Sequence, residues 1–264
     1  MSDYTHWLEP VRGLAELAGR AILDIYRTDF DVEQKDDQSP LTAADLAAHR
    51  IISDGLRQLT PDQPILSEES RHAPFAERSQ WSRFWLVDPL DGTREFVKRN
   101  GEFSVNIALI EAGRPVLGVV HAPVLGWSAA AAQGAGASLV QSNGDRQPLR
   151  VQPAKAPLRL AGSRSHGDAR LNAVLARIGE HELRPMGSAL KFVLVAQGEA
   201  DVYLRFGPTS EWDTAAGQCV LEQAGGSLLS LSGEPFTYNR RDTLLNGDFI
   251  ALGDPGLAWQ SWLA

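Results

Sequence analysis

Apolar residues recur at spacings of three and four from Trp7 to Tyr26, where Leu8, Val11, Leu14, Ala15, Ala18, Ile22 and Ile25 predict one amphipathic helix. Asp31 to Pro40 is polar and predicts a loop, and Thr42 to Leu59 predicts a second helix. A short apolar strand then begins at Ile65 and ends in Ser67-Glu68-Glu69. Phe84 to Val87 is a continuous apolar run broken by Asp88-Pro89-Leu90-Asp91-Gly92, which predicts a buried strand. Ser104 to Glu111, Pro115 to His121, Ser128 to Gln133 and Ala137 to Val140 predict a meandering antiparallel sheet. Gln141 to Pro157 is polar and proline-containing, so the division between an N-terminal half, 1–150, and a C-terminal half, 151–264, is set there. From Leu158 onward short strands alternate with helices at about Asp168 to Ile178, Ser188 to Gln197 and Trp212 to Ala224.

The acids follow this pattern. Asp88 and Asp91 leave the end of one strand three residues apart, and carboxylates held that close repel unless a cation sits between them. A hard divalent ion such as Mg²⁺ prefers oxygen donors of this kind, while a solvated Asp-Gly turn is the plainer alternative. Glu68 and Glu69 end another strand, Asp45 opens the second helix, and Asp213 lies in the first turn of the last. Read singly, these acids equally suit surface charge, helix caps or the helix dipole.

Composition narrows the classes. With 264 residues, 43% hydrophobic and 22% charged, the chain can bury one large core or two closely packed halves. The single Cys219 excludes an intramolecular disulfide, suits a reducing cytoplasm and is expected to be buried. No segment approaches the length of a membrane span, no signal core opens the chain, and a formal charge of −8 argues against nucleic-acid polymers as partners. Histidine spacing supports no zinc site, and neither a Gly-x-Ser-x-Gly elbow nor a Walker loop occurs.

Taken in order, Glu68-Glu69, Asp88-Pro-Leu-Asp91-Gly-Thr93 and Trp212-Asp213-Thr-Ala-Ala-Gly217 resemble the pattern of the lithium-sensitive, magnesium-dependent phosphomonoesterases typified by inositol monophosphatase. The resemblance runs from about Leu14 to Gly226. Arg94 to Ala122 is similar to the bacterial 3'(2'),5'-bisphosphate nucleotidase branch, and it lacks the Thr-Asn-Phe and His-Gly-Phe-Pro-like segments usual in inositol phosphatases.

The resemblance implies an α+β fold, a layered α-β-α-β-α sandwich with mostly antiparallel sheets and the site where the halves meet. It implies two or three Mg²⁺ ions, with Glu68, Asp88 and the Leu90 carbonyl on the first and Asp88, Asp91 and Asp213 on the second. Asp45 and Thr93 would activate the attacking water, Glu68 belonging with them, and Lys35 would lie near the metals. Gly92 and Thr93 would cradle the reacting phosphate through backbone N–H groups, Asp213 would also contact the substrate, and Ser163, His166, Gly187 and Lys191 would hold the nucleotide and its second phosphate. Arg205 and Lys98-Arg99 are further basic candidates.

The implied activity is removal of the 3'-phosphate from adenosine 3',5'-bisphosphate, extending to 3'-phosphoadenylyl sulfate and hence to sulfate assimilation, with inhibition by Li⁺. An inositol or broad sugar phosphatase would need the same metals and a different pocket. A noncatalytic nucleotide sensor would have no need of Asp45 and Thr93. The implied partner is a small nucleotide, in a cytoplasmic monomer or homodimer; peripheral attachment to the inner membrane is described for relatives, and no basic amphipathic helix here supplies a mechanism.

Overall fold

Two long helices open the chain and pair through their apolar stripes. In a computed structural model describing residues 4–34, 40–162 and 168–263, α1 (Thr5–Tyr26) buries Leu8, Val11, Ala15, Ala18 and Ile22, and α2 (Ala43–Leu59) buries Ala48, Ile52 and Leu56. Lys35, Ser163 and His166 lie outside the described residues. Within the stretch expected to be loop, β1 (Glu33–Gln34) and β2 (Pro40–Leu41) make a short antiparallel ribbon.

The first sheet has seven strands in the order β3 (Ile65–Ser67), β4 (Arg83–Asp91), β5 (Ser104–Glu111), β6 (Arg114–Ala122), β7 (Trp127–Ala132), β8 (Gly136–Gln141) and β9 (Arg146–Leu149). All neighbours are antiparallel except β3 and β4. The meander predicted from Ser104 to Val140 is present, and β9 extends it into the stretch read as the division between halves. Pro148 lies in this edge strand, where its missing N–H costs no ladder bond. Short helices α3 (Phe75–Arg78) and α4 (Thr93–Val97) flank β4.

The second sheet runs β11 (His181–Pro185), β10 (Leu158–Gly162), β12 (Val202–Arg205), β14 (Phe249–Leu252) and β13 (Ser227–Ser230). It is mixed: β10 pairs in parallel with β11 and β12, and β14 pairs antiparallel with β12 and β13. Between these strands lie α5 (Ala169–Ile178), α6 (Leu190–Ala196) and α7 (Glu211–Gln223), and a 3₁₀ turn closes the chain at Trp259–Trp262.

Strand alternation gives each sheet two apolar faces, and the helices cover both, producing the layered α-β-α-β-α sandwich. Trp85, Val87, Ile107, Leu109 and Val119 face α1 and α2. Phe84, Leu86, Ala108 and Val120 face the opposite way and share one core with α6, α7 and the inner face of the second sheet, Tyr203, Phe249 and Ala251. Leu160, Val202, Leu204 and Ile250 pack outward toward α5 and the closing turn. Among the described residues no helix is long and apolar enough to cross a membrane.

The middle layer positions the site. From Trp212 to Leu221 α7 is buried on nearly every side, because Ala215, Ala216, Gly217 and Cys219 are small enough for sheets to approach closely. At Gly118 of β6 a Cβ would lie 2.7 Å from both the Ala216 carbonyl oxygen and Cys219 Cβ. Cys219 is buried as expected, and burial pushes its thiol up, away from reactivity.

Candidate active site

Parallel pairing brings the C-terminal ends of β3 and β4 side by side: Ser67 is opposite Val87, and the Glu68 amide donates to the Val87 carbonyl at 3.1 Å. Glu68 therefore lies against Asp88. The strand predicted to stop at Val87 continues to Asp91, with an irregularity in which Asp88 opposes Asn106 and Asp91 opposes Ser104. Pro89 lies within that bulge, where no ladder donor is required. The bulge aims Asp88 and Asp91 at the same point, to which the first turn of α7 adds Asp213. Carboxylate oxygens of Asp88, Asp91 and Asp213 lie within 4.8 Å of one another.

Their electrostatics are costly. Burial, and then the charges of Glu68, Asp91 and Asp213, hold Asp88 well above the usual carboxylate range. Burial pushes Asp91 up to about 6, against the pull of the Lys191 amine and hydrogen bonds from the Ala189 amide and the Asn106 side chain. Asp213 is pushed up to about 8 by burial and then by the charge of Asp91. An all-oxygen donor set whose members cannot all ionise without a compensating charge fits a hard divalent cation.

The two oxygens of Asp45 face different partners. Oδ2 accepts from Thr42 N at 2.8 Å and Thr42 Oγ1 at 2.7 Å, closing the capping box of α2. Oδ1 faces Thr93 Oγ1 at 3.4 Å, while the same hydroxyl lies 3.3 Å from the Leu90 carbonyl. One hydroxyl proton serves one acceptor at a time, so Thr93 can turn between Asp45 and Leu90. Gly92, at φ +92°, makes the left-handed turn that starts α4. At five residues, α4 offers an anion its free amides rather than a long aligned dipole.

Beside the acids opens a pocket lined by Gly92, Gly187, Lys191, Tyr203 and Arg205 as well as Asp91 and Asp213. Burial pushes Lys191 down to about 8, against the nearby Asp91; its amine donates to the Ser188 carbonyl at 2.6 Å and lies 5.2 Å from the Tyr203 ring centroid. Arg205 Nε is buried with no hydrogen-bond partner among the described residues. Arg99 belongs elsewhere: it donates to the carbonyls of Tyr26 and Thr28, both at 2.5 Å, and lies 4.9 Å from the Phe30 ring centroid, which makes it a tie at the end of α1.

Three supports of the cluster escaped the sequence reading. Asn106 Nδ2 and Ala189 N donate to Asp91 Oδ2 at 3.2 and 2.5 Å, and Ser104 Oγ lies 3.5 Å from it. Ser104 and Asn106 share a face of β5 with Ala108 and Ile110, so polar residues at period two in an otherwise apolar strand were a readable signal. The Ala189 amide carried none. Glu211, buried at the start of α7 and pushed up to about 7 by burial, sits on the side of the helix turned away from this pocket, where Asn239 N donates to it at 2.8 Å.

The same assembly of elements occurs in known proteins. The model of the inositol monophosphatase family matches residues 3–254. The 3'(2'),5'-bisphosphate nucleotidase CysQ of Escherichia coli K12 is 50% identical over 244 residues, 92% of this chain and 98% of that protein. CysQ of Haemophilus influenzae is 36% identical over 258 residues, 97% of this chain and 96% of that protein. The crystal structure of CysQ from Bacteroides thetaiotaomicron, described as a bacterial member of the inositol monophosphatase family, superposes with a TM-score of 0.84 at 37% identity, covering 94% of this chain and 97% of that one. Matched along almost its whole length in sequence and in fold, this chain belongs to the inositol monophosphatase family.

Proposed function

We propose that this protein is a magnesium-dependent 3'(2'),5'-bisphosphate nucleotidase that hydrolyses adenosine 3',5'-bisphosphate to AMP and phosphate, acts also on 3'-phosphoadenylyl sulfate, and so serves sulfate assimilation. The observation that carries the substrate is the pair of cations, Lys191 and Arg205, in the wall of the pocket that Asp91 and Asp213 close on the other side. A substrate with one phosphate would leave Arg205 Nε without a partner, whereas a second phosphate meets it beside the Lys191 amine, which already donates to the Ser188 carbonyl. The nucleotidase name borne by relatives sharing up to half of its residues agrees with this reading.

Glu68, Asp88, Asp91, Asp213 and the Leu90 carbonyl are the groups that would hold two or three Mg²⁺ ions. Bound magnesium supplies positive charge for the phosphoryl oxygens and acidifies water. The chain's own residues do the rest. Thr93 Oγ1 passes its proton to Asp45 Oδ1 and accepts one from the attacking water, while the Thr42 cap keeps the carboxylate aimed. The free amides that begin α4 receive the reacting phosphate. Ser163, His166 and Gly187 complete the nucleotide site by analogy with the family. Lithium would inhibit by displacing magnesium. The enzyme is expected in the cytoplasm as a monomer or homodimer.

The test compares phosphate release from adenosine 3',5'-bisphosphate, inositol 1-phosphate and fructose 1,6-bisphosphate at saturating magnesium. The reading requires the nucleotide to be preferred. Preference for the inositol ester would make this an inositol phosphatase, and nucleotide binding without turnover would make it a sensor.

A further inference from the structure

Glu68 and Asp213 reach the cluster from different directions, one at the end of β3 and the other from the first turn of α7. The segments that lead away from them meet again outside it. Residues 239–246 run along the entry to α7: Glu211 N donates to the Leu244 carbonyl at 2.9 Å, Asn246 N to the Thr209 carbonyl at 2.7 Å, and Asn246 Nδ2 to the Ser210 carbonyl at 2.8 Å. The segment leaving Glu68 ends in α3 at Arg78, which is 2% exposed. One cleft is lined by Glu68, Arg78, Ser210 and Trp212, so this junction and the cluster are neighbours.

At the junction buried Arg78 and buried Glu211 are joined through Asn239, the first by its side-chain amide and the second by its backbone N–H. Arg78 donates to Asn239 Oδ1 at 2.5 Å, to the Arg241 carbonyl at 3.0 Å and to the Asp242 carbonyl. Asn239 returns its Nδ2 to the Arg78 carbonyl at 2.6 Å and gives its backbone N–H to Glu211 Oε2 at 2.8 Å. Its φ of +55° is one that asparagine tolerates better than most residues. Glu211 is fully buried, and Arg241 Nη2 lies 3.9 Å from its other oxygen. Buried polar groups of this kind contribute little net stability compared with an apolar filling, so what they offer this junction is the directionality of their hydrogen bonds.

We infer that Arg78, Asn239 and Glu211 are positioning residues that set the spacing between Glu68 and Asp213, and through it the affinity of the carboxylate cluster for its divalent cation. The inference rests on the reading of those carboxylates as a metal centre. None of the three touches the reacting atoms, so their loss acts on metal uptake and leaves KM for the nucleotide at saturating metal unchanged.

The experiment titrates Mg²⁺ into the purified protein by calorimetry and follows the magnesium-induced rise in Tm. Asn239→Gly keeps the left-handed backbone and its N–H to Glu211 but removes the side-chain amide that holds Arg78; Arg78→Lys keeps the charge and removes the fork. Each is expected to weaken magnesium binding about ten-fold. Asp201→Asn, which breaks the Arg159 ion pair in the second sheet, should lower Tm without changing metal affinity. If Asn239→Gly does not fold, Glu211→Met, of similar volume and with no oxygen to accept from the Asn239 N–H, serves the same comparison. Wild-type uptake of magnesium with undiminished uptake by the variants would overturn this inference alone. A wild-type protein that binds no magnesium would overturn the metal-centre reading as well.

Discussion

Replacing Asp213 by Asn should stabilise the metal-free protein while impairing the metal-loaded one. Asp213 is half-buried at the start of α7 and held at about 8, against 3.8 for the free side chain, with burial and then Asp91 as the causes. At pH 7 the unfolded chain has released that proton and the folded chain retains it, so the native state loses about 4 kcal/mol, at 1.36 kcal/mol per pKa unit. Because the cost is shared with Asp88 and Asp91, the substitution should return roughly 2–4 kcal/mol, or roughly 5–10 °C in Tm. Asn can still accept from Ser210 N, which caps α7 onto Asp213 Oδ2 at 2.8 Å, so the helix start is preserved. The folded pKa is raised, so the penalty is absent below the free value and grows as pH rises toward the folded one. The gap between variant and wild type should therefore vanish near pH 4 and widen up to about pH 8. Urea denaturation in EDTA across that range measures it. Magnesium at 100 times its dissociation constant returns about 2.7 kcal/mol to the wild type, and the gap closes. A variant less stable than wild type in EDTA at pH 7 would refute the reasoning.

Three other outcomes follow from single sites. Burial holds His121 down at about 4, below its ordinary 6.5, so its stabilising neutral form is lost as acid protonates the unfolded chain. About 3 kcal/mol should disappear between pH 6.5 and pH 4, and His121→Asn should flatten that slope in denaturation curves. Thr93→Ala and Asp45→Asn should each lower kcat by roughly 10²–10⁴-fold with magnesium binding retained by calorimetry; full kcat in either would exclude the proton route. Arg205→Met should lower kcat/KM for adenosine 3',5'-bisphosphate by roughly 10–100-fold and leave 3'-AMP, which lacks the second phosphate, unaffected.

Period and sequence order made much of this molecule legible. The stripe from Leu8 to Ile25, the meander from Ser104 to Val140 and the three acidic blocks each correspond to a structural unit, because local spacing encodes which face is buried. What was not legible depends on long-range contact. The extension of β4 through Pro89 required a bulge opposite β5, which no local signal near Asp88 announces. The bond from Ala189 N to Asp91 comes from backbone ninety-eight positions away and leaves no residue type to notice. Arg99 resembled a phosphate ligand by charge alone, and only the fold reveals the carbonyls of Tyr26 and Thr28, at and just past the end of α1, that occupy it.

Turnover of adenosine 3',5'-bisphosphate by Asp91→Ala at saturating magnesium is the most direct measurement of the whole account. Loss of a carboxylate that Asp88 and Asp213 approach within 4.8 Å should cut phosphate release at least about 100-fold, since charge supplied to the phosphoryl oxygens is worth several kcal/mol. Undiminished release by that variant, with the wild type equally active in EDTA, would contradict it.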